Sequence, residues 1–280
     1  LKKGAREFIV MRVFNRRGAV TSIRPTAVAG SFYPSDAHKL RAQVRELLKN
    51  AHTDLPAPKA LIAPHAGYVY SGPIAASAYA TIKNARGTIR RVVLLGPAHR
   101  VPLRGLALSS ADFFESPLGK VPLDHEAMEK IKHLPGVQVS DAAHANEHSL
   151  EVHLPFLQET LEAFTLVPLV VGEVEASTVA RVLDALWGGP ETLIVVSSDL
   201  SHYHDYATAQ RLDRTTSQAI EQGRPQDIDV DRACGRYPVN GLLTVAKARG
   251  LNTKTLDLRN SGDTAGPRDR VVGYGAYVFH

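Results

Sequence analysis

Ala60-Leu61-Ile62-Ala63-Pro64-His65-Ala66-Gly67 and Leu193-Ile194-Val195-Val196-Ser197-Ser198-Asp199-Leu200-Ser201-His202 share one pattern: an unbroken apolar run ending in a polar loop that carries a histidine. Val92-Val93-Leu94-Leu95 repeats it, leading into Gly96-Pro97-Ala98-His99, and Leu166 to Val171 leads into Gly172. A strand with one face in water alternates apolar and polar residues. A continuous apolar run marks a strand covered on both faces, as in a parallel sheet between helices. Val271 to Phe279 alternates less cleanly and reads as an edge or antiparallel strand.

Helical patterns lie between these runs. Ser35 can cap a helix from Asp36 to about Ala51 that presents Leu40, Val44, Leu47 and Leu48 on one face. Further helices are predicted over Pro73–Ile82, Asp124–His133, Leu150–Phe164 with Ser149 as its N-cap, Ala176–Trp187, Tyr206–Gln222 and Pro238–Ala248. The rhythm of strand, loop, helix and strand predicts a three-layer α/β/α fold with a mostly parallel central sheet. Such folds bind ligands outside the carboxyl ends of their strands. His65, His99, Asp199 and His202 all fall there.

The bulk composition sets limits. The chain has 280 residues, 44% hydrophobic and 22% charged, which is ordinary for a globular domain. Its net charge of +5 is uneven: residues 1–24 hold seven basic groups against Glu7 alone, so the rest of the chain carries −1. The cationic excess belongs to a basic N-terminal tail, residues 1–23, ahead of a single α/β domain over 24–280. A body without a basic footprint argues against nucleic-acid binding. The run Phe8-Ile9-Val10-Met11 is too short for a secretory signal, and no stretch is long enough to span a membrane. The one cysteine, Cys234, excludes an internal disulfide and suits a reducing compartment, so a cytoplasmic location is expected. There is no GxxxxGK[ST], no GxGxxG after a strand, no GxSxG and no CxxC, so kinase, dehydrogenase, serine-hydrolase and zinc-ribbon readings lose their usual support.

Imidazole is the commonest metal ligand and an acid/base near neutral pH. A single histidine is ordinarily a hydrogen-bonded structural residue, but two at equivalent strand ends point to joint function. Asp199 can orient an imidazole or cap the next helix, and His202 can act as a general acid or base. His204 reads as solvent-facing. In Asn146 to Pro155, His148 and His153 are five apart, so this is not the zinc motif HExxH; capping, or support of a pocket, is the expected role. Cys234 precedes a predicted helix. It is either a small buried hydrophobe or, through the helix terminus, a thiol whose pKa is lowered toward thiolate.

At these residues the chain resembles the Memo family, and through it the catalytic subunit of class III extradiol dioxygenases. The matching segments are Arg24-Pro25 and Ala27 to Pro34, Ala63 to Tyr68, Leu95 to His99, Glu147 to Pro155, Ser197 to Tyr203 and Cys234-Gly235. The resemblance implies a mononuclear metal site of His65, His99 and Cys234, holding iron or copper, with zinc a further candidate. It sets Asp199 and His202 beside that site as catalytic groups. It also implies that Glu147, His148, His153 and Tyr68 support the ligands or contact substrate. The dioxygenases use a carboxylate where Cys234 stands, and a thiolate favours softer metals, so ring cleavage does not transfer directly. The implied function is a metal-dependent oxidoreductase acting on a small molecule. The bacterial branch resembles one component of a three-part system that includes a radical-SAM protein, a possible partner. Two other readings keep the pocket: a non-catalytic module binding proteins or phosphopeptides, and a zinc hydrolase in which the metal activates water.

Overall fold

The apolar runs become neighbouring strands of one sheet. A computed structural model describes residues 11–14, 20–51 and 53–280. Its strands are β1 Met11–Phe14, β2 Val20–Arg24, β3 Ala60–Ala63, β4 Arg91–Pro97, β5 Leu106–Leu108, β6 Phe113–Ser116, β7 Gly119–Pro122, β8 Val137–Val139, β9 Thr165–Val171, β10 Thr192–Ser197, β11 His202–His204, β12 Thr253–Asn260 and β13 Val271–Phe279. Its helices are α1 Ala37–Asn50, α2 Tyr68–Tyr79, α3 His125–Ile131, α4 Asp141–Ala145, α5 Leu154–Thr160, α6 Ala176–Ala185, α7 Tyr206–Glu221 and α8 Arg236–Ala248.

The main sheet runs β11-β13-β3-β10-β4-β9-β5-β8, with β12 added to β13. Its centre, β3-β10-β4-β9, is parallel throughout. Every residue of β3 and β10 is buried. Successive side chains point to opposite faces, so both faces are covered, which is why the sequence there is apolar without alternation. The fold is mixed α/β with a mostly parallel central sheet. β13 is antiparallel but not an edge: it pairs with β3, β11 and β12. Among the described residues no helix is long and apolar enough to cross a membrane.

Several elements differ from the sequence reading. The α1 cap is Asp36, whose side chain accepts from Lys39 N, one residue after Ser35. The next helix starts at Tyr68, well before Pro73, which lies inside it. A proline there forfeits only the bond to the residue four positions earlier, Val69, which is exposed at the surface. The segment after Ser149 begins as a 3-10 turn, Glu151–His153, before α5, and the Ser149 hydroxyl donates to Pro97 O (2.8 Å) instead of capping a helix.

The segment read as a basic tail also needs correction. β2 begins at Val20, pairs with β1 and β6, and buries Ile23, within a second, four-stranded sheet β1-β2-β6-β7. The folded unit therefore reaches back before residue 24. Lys2, Lys3, Arg6, Arg16 and Arg17 lie outside the described residues.

Arg24, at the end of β2, ties this small sheet to the main body. Its guanidinium pairs with the buried Glu151 carboxylate and also donates to the carbonyls of His144 and Glu147. Glu151 in turn accepts from Ala27 N (2.7 Å), Val28 N (3.0 Å) and the Tyr33 hydroxyl. Arg24 and Glu151 are both buried, so each compensates a charge that water cannot reach. Removing one partner strands the other. Arg24→Met should lower unfolding stability by about 3–5 kcal/mol in urea denaturation.

Candidate metal centre

Because β3, β10 and β4 are adjacent and parallel, their carboxyl ends open at one edge of the sheet. A cavity of about 880 Å³ lies there, with His65, His99, His148, Asp199, His202 and Cys234 in its wall. Two glycines permit the convergence. A Cβ on Gly235 would meet Ser197 O at 2.5 Å, so only glycine lets the segment bearing Cys234 settle on the end of β10. A Cβ on Gly96 would meet the Ser149 hydroxyl at 2.7 Å, so glycine there admits the Glu147–Leu150 segment against β4.

The two strand-end histidines are held alike. His65 Nδ1 lies 2.6 Å from Ser197 Oγ, and His99 Nδ1 lies 3.0 Å from Glu147 Oε1. Each ring therefore has Nδ1 fixed by a buried partner, while His65 Nε2 faces the Cys234 thiol and lies 3.8 Å from Asp199 Oδ2. The rings are 5.1 Å apart, centroid to centroid, and meet edge to face. Burial, reinforced by neighbouring imidazoles, drives the His65 pKa well below its ordinary value, so the ring is neutral. Burial pushes the Glu147 carboxyl up, but hydrogen bonds from the His99 ring and the backbone N–H groups of His99 and Ser149 outweigh it and hold the group at about 2.

Two further side chains could supply a third donor. His65, His99 and His148 offer ligand atoms that all lie within 4.8 Å of one another. His148 stacks on His99 at 4.8 Å and 18°, and burial lowers its pKa to about 4. Its Nδ1 lies 3.3 Å from Glu147 Oε1 but makes no aligned hydrogen bond. Cys234 Sγ lies 3.4 Å from His65 Nε2. It is not in the mutually close set.

Asp199 sits beneath this pair. Its Oδ1 accepts from His65 N (2.8 Å), and its backbone carbonyl faces the Cys234 N–H (3.3 Å) and thiol (3.6 Å). Burial raises its pKa to about 7 against the pull of the His65 backbone N–H. Asp199 thus positions the backbone of His65. It neither caps a helix, since Asp205 caps α7, nor hydrogen-bonds the His202 ring. His202 lines the cavity with its pKa lowered, chiefly by burial.

Four expectations change. The Cys234 thiol precedes Gly235, the N-cap of α8, yet burial and then the Asp199 charge push its pKa up, so the helix terminus does not make it a thiolate unaided. His204 is not simply solvent-facing: it lines the cavity. Tyr68 and His153 do not reach the cavity. The Tyr68 hydroxyl donates to Val152 O (2.6 Å), and His153 Nδ1 bonds the Tyr79 hydroxyl (2.8 Å), both within the core. Ser197, the partner of His65, escapes the sequence reading, although a serine closing an otherwise apolar strand is a signal for such a role.

Fold and site together define an α/β protein with a histidine cluster, suited to a metal ion, over the carboxyl ends of its parallel strands. The chain belongs to the Memo family: residues 24–278 match the profile of the Memo-like proteins. It is 36% identical over 268 residues to a MEMO1 family protein of Aquifex aeolicus, covering 92% of this chain and 99% of that one. A MEMO1 family protein of Methanopyrus kandleri is 34% identical, with 91% and 98% covered. The crystal structure of an uncharacterized protein from Escherichia coli K12 is similar in fold, with a TM-score of 0.51 and 13% identity over 78% of this chain and 98% of that one.

The loop before His202 depends on Asp213 of α7, a buried carboxylate whose Oδ1 accepts from Ser201 N (3.0 Å). Burial raises its pKa to about 6. A raised carboxyl pKa means the folded protein keeps a proton that the unfolded chain releases, so stability falls as pH rises from about 4 to 6. Asp213→Asn keeps the acceptor and removes this loss. In urea melts the variant should exceed the wild type by on the order of 3 kcal/mol at pH 8 and roughly half that at pH 5.

Proposed function

We propose that the chain is a mononuclear metal protein in which His65, His99 and Cys234 hold iron or copper, and that it performs redox chemistry on a small molecule in the cavity. One observation carries the reading: both strand-end imidazoles have Nδ1 committed to a buried partner, which orients Nε2 for a ligand. Tetrahedral coordination at ordinary bond lengths separates an imidazole nitrogen from a thiolate sulfur by about 3.6 Å, close to the 3.4 Å between His65 Nε2 and Cys234 Sγ. A bound cation supplies Lewis acidity, exchangeable electrons and open positions for a ligand. The Cys234 thiol, whose pKa burial raises, would be held as thiolate beside such a cation.

The chain's own groups do the rest. Glu147 fixes the His99 ring and backbone, Ser197 fixes His65, and Asp199 fixes the loop that carries His65. His202 is neutral in the cavity wall and can accept a proton from a hydroxyl-bearing ligand. A radical-SAM protein as functional partner rests on the family resemblance.

A second reading takes His148 as the third ligand, favoured by its mutual proximity to His65 and His99. Three imidazoles suit zinc and the activation of water. Metal analysis of protein purified without oxygen separates the two. The wild type should carry roughly one equivalent of iron or copper, and His65→Ala and His99→Ala should carry almost none. Cys234→Ser should lose the metal while His148→Ala retains it; the reverse pattern, with zinc bound, selects the second reading. Glu147→Gln should weaken metal affinity about 10–100-fold without removing a ligand.

A further inference from the structure

The cavity mouth carries an apolar rim. Among the described residues five large hydrophobic side chains are exposed, and four of them, Val69, Tyr70, Tyr203 and Val230, line this one cavity. Exposed apolar residues scattered singly need no explanation, but their concentration at one opening does. Phe32 and Tyr274 continue the aromatic surface inward.

Tyr203 is held there by the backbone. It is the one non-glycine residue with positive φ (62°) among the described residues, a conformation L residues adopt rarely. His202 pairs with Val272 and His204 with Val271, so Tyr203 is the extra residue of a bulge in β11. Bulges re-aim side chains beside functional sites. This one turns the Tyr203 ring out to 64% exposure at the rim.

Arg270, the residue before β13, sits over that ring with its guanidinium 5.2 Å from the centroid. It has no ion-pair partner among the described residues, and neither does Arg100, a second cation in the wall. Asp231 also lines the wall, and Asp199 lies in it as a buried group. A planar guanidinium stacked on a tyrosine, with its fork free, suits a carboxylate or phosphate.

We infer that Arg270, seated on Tyr203, recognises the anionic group of the ligand, and that the ligand is a small aromatic compound carrying a carboxylate or phosphate. This rests on reading the cavity as the small-molecule site, but not on which metal it holds. Binding of 3-phenylpropionate, phenyl phosphate, neutral 3-phenylpropionamide and acetate to the full chain tests it, by calorimetry or ligand-observed NMR. Each titration uses both metal-loaded and chelator-treated protein, because an anion can also bind a metal.

In chelator-treated wild type, one of the two aromatic anions should bind about tenfold or more tightly than the amide, and more tightly than acetate. The tighter anion identifies the oxyanion. Arg270→Gln should abolish that preference. Tyr203→Gly, which relieves the backbone and removes the seat, should reduce it, with metal content unchanged in both variants. Equal binding of amide and anions, an unaltered preference in Arg270→Gln, or no binding by wild type overturns the inference. A preserved anion preference in protein that takes up no metal would remove the metal reading alone.

Discussion

A buried carboxylate is tolerated only when donors saturate it, and two of them four residues apart organise this molecule. Glu151 gathers Arg24, the amides of Ala27 and Val28 and the Tyr33 hydroxyl. Glu147 gathers the His99 ring and amide and the amides of His148 and Ser149. Neither set is local apart from the amides after Glu147. Each carboxylate therefore converts its own desolvation into a demand that distant segments come to it. Meeting that demand docks the small sheet on the main body and fixes the loop after β4 in the conformation that presents His99.

The sheet supplies the other half of the arrangement. Parallel strands deliver their loops to one edge, but they do not make those loops touch. Contact needs backbone segments closer together than side chains allow, and Gly235 and Gly96 provide it against Ser197 and Ser149. The same serines then act on the site: Ser197 holds His65, and Ser149 secures Pro97, two residues before His99. Architecture gives the neighbourhood, while the glycine–serine approaches give the distances.

What could be read from the sequence follows the same division. Strands β3, β4, β9 and β10 were legible because burial on both faces removes polar residues, and the cavity's location followed from their common direction. Leu40, Val44 and Leu48 were legible as the buried face of α1. The start of α2 was not, because Pro73 is a helix-start signal that here stands inside the helix. The second sheet was not, because strands as short as Phe113–Ser116 leave little periodicity to detect. Nor could spacing assign the histidines of the Asn146–Pro155 stretch. His148 and His153 are of one residue type, yet one faces the cavity and the other bonds Tyr79 in the core. The loop and 3-10 turn between them decide which way each points, and Glu147 and Glu151 tie that stretch to partners far away in sequence.

The third ligand is where local chemistry and geometry pull in different directions. Mutual distance favours His148, which already lies within ligand spacing of both His65 and His99. Yet its ring is stacked nearly parallel on His99, and stacked rings direct their in-plane lone pairs along parallel planes rather than toward one point. Cys234 is outside that mutually close set but meets His65 Nε2 directly, from a backbone position that Gly235 permits. A thiol kept protonated by burial and by Asp199 would gain most from a cation, because ligation would remove the proton and neutralise the resulting charge together. With His65, His99 and Cys234 as ligands, metal capture would be coupled to proton release at Cys234, whereas three neutral imidazoles would bind an ion with no such coupling. The built-in close approach at Gly235 therefore weighs toward the thiolate.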